Sequence, residues 1–191
     1  MNKLIVYIFF FILFFSVLVC SNGESVSKNN DFIIVPDISI EEIEWSFGSG
    51  TLHGDNYVLL QYTNNSKYVI NSFELRFIEK PSVTKEEKEQ FYSDIQKAQG
   101  FDDDYMKKLI KSDEQLGNKI SLYGTSTETL NPGDTSEKVE CYYFGAWGSK
   151  NVLHSDLVIP EKAEIQYTKD NIKYTLYYNF ESKSYDVEKN K

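Results

Sequence analysis

Cysteine is scarce in this chain, with Cys20 and Cys141 the only two in 191 residues. That excludes a disulfide framework, so a folded domain has to rely on its core. Positive charge is also short: the formal net charge is −9. An acidic chain is repelled by nucleic acid and by anionic membrane surfaces, so no nucleic-acid partner is expected. Arginine occurs once, at Arg76, and lysine supplies the remaining cations. Histidine occurs twice, at His53 and His154. No nucleophile elbow, zinc-protease helix motif or phosphate loop occurs, and no catalysis or cofactor is expected. Only one long apolar run exists, Leu4 to Val19, and it sits at the N-terminus.

That run follows Lys3 and is interrupted only by Ser16. Its length lies between that of a secretory apolar region and that of a full membrane span. Cys20 follows it, then Ser21, Asn22 and Gly23. Residues 1–21 therefore read as a signal or anchor segment, with the remainder outside the cytoplasm. Cys20 is a candidate lipid attachment site, although Val19 stands where a lipobox usually carries Gly, Ala or Ser. Cleavage after Ser21 or Gly23 and retention as a short tether are the alternatives. Residues 22–40 read as a polar spacer and leading segment, and 41–191 as one domain.

Within that domain apolar residues mostly alternate, the period of strands. Ile43 and Trp45 share one side of Glu41–Ser46. Tyr57–Tyr62 runs into the turn Thr63-Asn64-Asn65-Ser66. Phe73, Leu75 and Phe77 point one way, Glu74 and Arg76 the other. Residues 82–115 break the alternation. Thr84 and Glu87 form a capping box, Phe91, Ile95 and Ala98 follow at helical spacing, and Gly100 suits a helix C-terminus. A second helix starts at Asp102-Asp103-Asp104, with Tyr105, Met106, Leu109 and Ile110 as its stripe. Strands resume at Lys119–Tyr123, ending at Gly124. The turn Leu130-Asn131-Pro132-Gly133-Asp134 follows, then Val139–Phe144. Gly148–Asp156 reads as loop. Ala163–Thr168 and Ile172–Phe180 form a hairpin about Lys169-Asp170-Asn171, and a short strand over Tyr185–Val187 closes the pattern. The expected fold is mainly β: an immunoglobulin-like antiparallel β-sandwich with an inserted helical hairpin.

Candidate chemistry is sparse. Leu52-His53-Gly54-Asp55 and Leu153-His154-Ser155-Asp156 are similar phrases. If His53, Asp55, His154 and Asp156 converged, they would supply a divalent-metal site, and a metal-dependent protein or enzyme is the alternative function. Coincidental use of Gly, Ser and Asp in loops is the plainer explanation. Glu41-Glu42 and Glu86-Glu87 read as solvated acids at element starts, and Asp102-Asp103-Asp104 lacks the spacing of a calcium loop. Cys141, in phase with Val139 and Tyr143, reads as a buried apolar thiol. Tyr142, Phe144, Trp147 and Tyr177 are candidates for an aromatic contact patch.

Three phrases carry a resemblance: Tyr62-Thr63-Asn64-Asn65-Ser66 through Phe73-Glu74-Leu75; the turn at 130–134; and Ala163-Glu164-Ile165-Gln166-Tyr167 leading to Tyr174-Thr175-Leu176-Tyr177-Tyr178. They resemble uncharacterised exported proteins of low-GC Gram-positive bacteria, many similar to lipoproteins with an Ig-like domain. The resemblance implies an extracytoplasmic, envelope-associated binding or structural module. Membrane contact would run through the N-terminus, and an envelope protein or carbohydrate would be the partner. It carries no functional residue onto this chain.

Overall fold

The computed structural model describes residues 36–117, 119–143 and 147–190. The segment expected to direct export, Cys20 and Phe144 lie outside them. The strands are β1 (Ile43–Leu52), β2 (Asp55–Asn64), β3 (Val69–Glu79), β4 (Ser121–Ser126), β5 (Val139–Tyr143), β6 (Trp147–Gly148), β7 (Val158–Lys169), β8 (Ile172–Asn179) and β9 (Ser184–Lys189). Two helices, α1 (Lys85–Gln99) and α2 (Asp103–Leu116), stand between β3 and β4. All strand pairs are antiparallel, in the order β1-β2-β5-β4-β3-β7-β8-β9, with β6 on β5. The architecture is mainly β: one antiparallel sheet, not closed, with a helical pair. Among the described residues no helix is long and apolar enough to cross a membrane.

Period-two burial explains the sheet. Val58, Leu60 and Tyr62 of β2, Phe73, Leu75 and Phe77 of β3, Ala163, Ile165 and Tyr167 of β7, and Leu176 and Tyr178 of β8 are all buried. Each set occupies alternate positions, so one face of each of these four strands leaves water. The sheet turns back on that face. Phe47 of β1 stacks on Phe77 of β3 with ring centroids 3.8 Å apart, although three strands separate β1 from β3 in the sheet. Trp45 meets Phe77 and Phe180 edge-on at 6.2 and 6.3 Å. Near the other sheet edge, the Ile40 amide donates to the Tyr185 hydroxyl of β9 at 2.9 Å.

Two hairpins close with two-residue turns at positive φ, the geometry that matches strand twist. One is Asp170-Asn171 (φ 50° and 62°), at the expected position. The other is His53-Gly54 (φ 51° and 91°), so the first histidine phrase is a β1–β2 turn.

The helical pair is built from the expected signals. Thr84 Oγ1 accepts the Glu87 amide at 3.2 Å, and the Glu87 carboxylate accepts the Thr84 amide at 2.7 Å. Gly100 takes the left-handed conformation at φ 70°, where glycine carries no Cβ penalty. Asp102 Oδ1 caps α2 by accepting the Tyr105 amide at 2.7 Å, the role expected of that acidic run. Phe91, Tyr92 and Ile95 of α1 and Met106 of α2 are buried, and Phe91 meets Tyr143 of β5 edge-on at 5.0 Å. The pair therefore covers part of the core. Tyr105 departs from the expected apolar stripe and is 45% exposed.

Candidate functional site

With the inner face committed to the core, the outer face of β3, β7, β8 and β9 carries the polar half of each alternation. Pairing register sets its pattern. Glu74 stands opposite Glu164, Glu164 opposite Tyr177, and Tyr177 opposite Asp186. Two residues along, Arg76 stands opposite Lys162, Lys162 opposite Asn179, and Asn179 opposite Ser184. These two rows line an open groove of about 350 Å³. One row is acidic with an aromatic in its middle; the next is basic and then neutral.

The ionic contacts inside the groove run along strands. Arg76 Nε lies 2.5 Å from Glu74 Oε1, and Thr125 Oγ1 donates to Glu74 Oε2 at 2.9 Å. That bond to Glu74, with the fields of Glu164 and Glu161, holds the guanidinium pKa above its ordinary value. Glu164 accepts Gln166 Nε2 at 3.1 Å. Lys162 forms no ion pair with a described residue. Tyr177 is 37% exposed, and desolvation together with Glu164, Glu188 and Asp186 pushes its phenol up.

The basic row continues into aromatics. Tyr123 stands opposite Arg76, and Tyr142 opposite Tyr123, their rings stacked at 6.0 Å. Of the expected aromatic candidates, Tyr142 and Tyr177 share this outer face. Trp147 does not join them: it packs edge-on against Phe101 at 5.8 Å, beside the helical pair. Its register partner is the buried Tyr143, which sets it on the inner side.

The two histidine phrases have separate local roles. Asp55 pairs with Lys150 at 2.6 Å, and His53 forms its exposed turn. His154 Nε2 lies 3.0 Å from Asp94 Oδ2 of α1, and its ring meets Phe91 edge-on. Asp156 lies in a short 3-10 turn, Ser155–Leu157, and its backbone carbonyl accepts Lys80 Nζ. Among the described residues no three His, Cys, Asp or Glu side chains form a metal-holding group.

Glu42 caps a 3-10 turn at Ile40–Glu42, and Glu87 caps α1, so each acidic pair supplies a helix cap. Cys141 is buried, and desolvation followed by the field of Glu140 pushes its thiol up to about 12. Only the thiolate is an efficient nucleophile. In a Cys20→Ser chain, maleimide is expected to leave native Cys141 unmodified over hours and to label it fully in denaturant. Rapid native labelling would show that the β4–β5 region opens readily.

Glu74 and Arg76 were visible in sequence as the outward side of their strand. What placed Lys162 and Glu164 beside them is pairing register between β3 and β7, which no local pattern encodes, and the local β7–β8 and β8–β9 hairpins then bring in Tyr177 and Asp186. No family model, curated protein or solved structure matches this chain.

Proposed function

We propose that this chain is a non-catalytic binding module held at the outside of the cell envelope, and that it meets its partner through the outer face of β3, β7, β8 and β9. The groove of about 350 Å³ carries this reading. It is concave, has an exposed Tyr177, and separates its charges into an acidic and a basic row. Convergent polar groups around an aromatic in a cleft are the usual make-up of a recognition site. Export and anchoring are supported by the apolar run after Lys3 and by Cys20 at its end. The finer fold we propose is the immunoglobulin-like sandwich. Its support is the contact of Trp45 and Phe47 with Phe77, which lays β1 over β3.

Two measurements test this. Full-length protein should partition with membranes, and Cys20→Ser should release it; a Cys20→Ser chain still processed and membrane-bound is not lipid-anchored. Immobilised full-length protein should retain a component of its own envelope fraction, and a Tyr177→Ala/Glu164→Gln chain should retain at least tenfold less. Equal retention by both would remove the groove from the reading.

A further inference from the structure

We propose that the groove takes a zwitterion of dipeptide length lying along β7 and β8, its ammonium between Glu164 and Tyr177 and its carboxylate between Lys162 and Asn179. This rests on the groove being the binding surface.

The charge pattern is the first support. Like charges directly opposite one another destabilise a sheet, and cross-strand pairs of opposite sign stabilise it. This face does the unfavourable thing twice, with Glu74 opposite Glu164 and Arg76 opposite Lys162. The Glu74–Arg76 pair along β3 offsets one strand's share, but Lys162 has no ion-pair partner among the described residues. A ligand bearing both signs, its positive end on the acidic row and its negative end on the basic row, relieves both repulsions together. A simple cation would meet Arg76 and Lys162. A simple anion would meet the acidic row and a chain of net charge −9.

Spacing supplies the length. The rows are two residues apart along each strand, about 6.6 Å. An extended dipeptide spans about 7 Å between its ends. A single amino acid holds its two charges too close together, and a tripeptide overshoots by about 3.4 Å. The Tyr177 face suits the ammonium end, because a ring quadrupole attracts a cation placed over it. Asn179, in the basic row, offers an amide donor to the carboxylate end. A volume of about 350 Å³ lies at the small end of ligand clefts.

Calorimetry on full-length protein at low salt tests this with three probes: L-alanyl-L-alanine, its N-acetyl form and its C-terminal amide. The free dipeptide should bind saturably, and each blocked form should bind tenfold or more weakly. Lys162→Gln should weaken the free dipeptide by about tenfold while leaving the amide unchanged, a signature that general misfolding does not produce. Free and blocked forms binding alike, or no saturation by about 10 mM, overturns the proposal. If envelope retention depends on Tyr177 and Glu164 while the dipeptide fails to bind, the groove remains the contact surface and this ligand class is wrong. If both fail, both readings fall.

Discussion

Asn64→Ala is expected to lower the unfolding free energy by about 3 kcal/mol, since a buried polar group left without its partner costs roughly 1–3 kcal/mol. Asn64 is fully buried at the end of β2. Its Nδ2 donates to the carbonyls of Tyr68 at 2.8 Å and Leu130 at 3.1 Å. Its Oδ1 accepts the Ser66 amide at 3.0 Å and the Ser66 hydroxyl at 2.7 Å. Its backbone adds two bonds to the 130–134 turn, to Asp134 and from Gly133. One side chain thus joins three segments, and truncation orphans the amide of Ser66, itself buried. Asn64→Asp should cost at least as much as Asn64→Ala. It keeps the acceptor for Ser66 but turns an oxygen toward two carbonyls. Urea unfolding at constant m reads both values. A loss under about 1 kcal/mol for Asn64→Ala, no more than an ordinary hydrogen bond contributes, would mean the three segments hold together without it.

Asn64 also shows how far local signals reach. The run Thr63-Asn64-Asn65-Ser66 is legible as a turn because Asn and Ser bond readily to nearby backbone. That this asparagine also clasps Leu130 is not legible, because the contact closes 66 residues of chain. The same division runs through the fold. The helix signals at Thr84, Glu87 and Gly100 are local and fell where the structure has them. The Asp170-Asn171 hairpin is local as well. Several strands ran further than their pattern suggested, β7 by five residues at its start, and two of them do so through glycine. β1 continues through Gly48, Ser49 and Gly50 to Leu52, residues that alone suggest a break. Its pairing with β2 is unbroken over ten residues, so backbone bonds carry it where side chains supply little. β4 continues past Gly124 to Ser126 for a different reason, one of space.

The candidate site divides in the same way. That Glu74 and Arg76 face opposite to Phe73, Leu75 and Phe77 follows from alternation alone. That like charges face each other across β3 and β7 follows from register, fixed by the buried partners Phe73–Ile165 and Leu75–Ala163. A one-residue slip would carry Glu164 into the core, so burial on one face determines the charge pattern on the other. The histidine phrases were alike in letters only. One is a hairpin turn that needs positive φ at both central residues, the other a loop whose ring rests on α1.

Gly124→Val is expected to be among the most damaging single substitutions available, costing about 3 kcal/mol or more, at and beyond the upper end for overpacked cores. Gly124 has no unusual φ to protect. The obstacle is room: a Cβ there would lie 2.8 Å from Cys141 Sγ and 3.0 Å from both Cβ and Cδ2 of Leu60. Cys141 is its register partner on β5, while Leu60 reaches it from β2, two strands along in the sheet. All three are buried, so neither neighbour has an exit to solvent. Gly124→Ala should cost about 1–3 kcal/mol, and Cys141→Ala should return part of it by removing the nearest atom. The coupling between Gly124→Ala and Cys141→Ala should then be favourable by about 1 kcal/mol, within the range seen for residues in contact. Gly48 is the control, because nothing lies within 4 Å of a Cβ built there. Gly48→Ala should leave the thermal midpoint unchanged or raise it slightly. Strictly additive losses at Gly124 and Cys141 would mean that the strain falls on Leu60 instead, and Leu60→Ala would then be the substitution that relieves it.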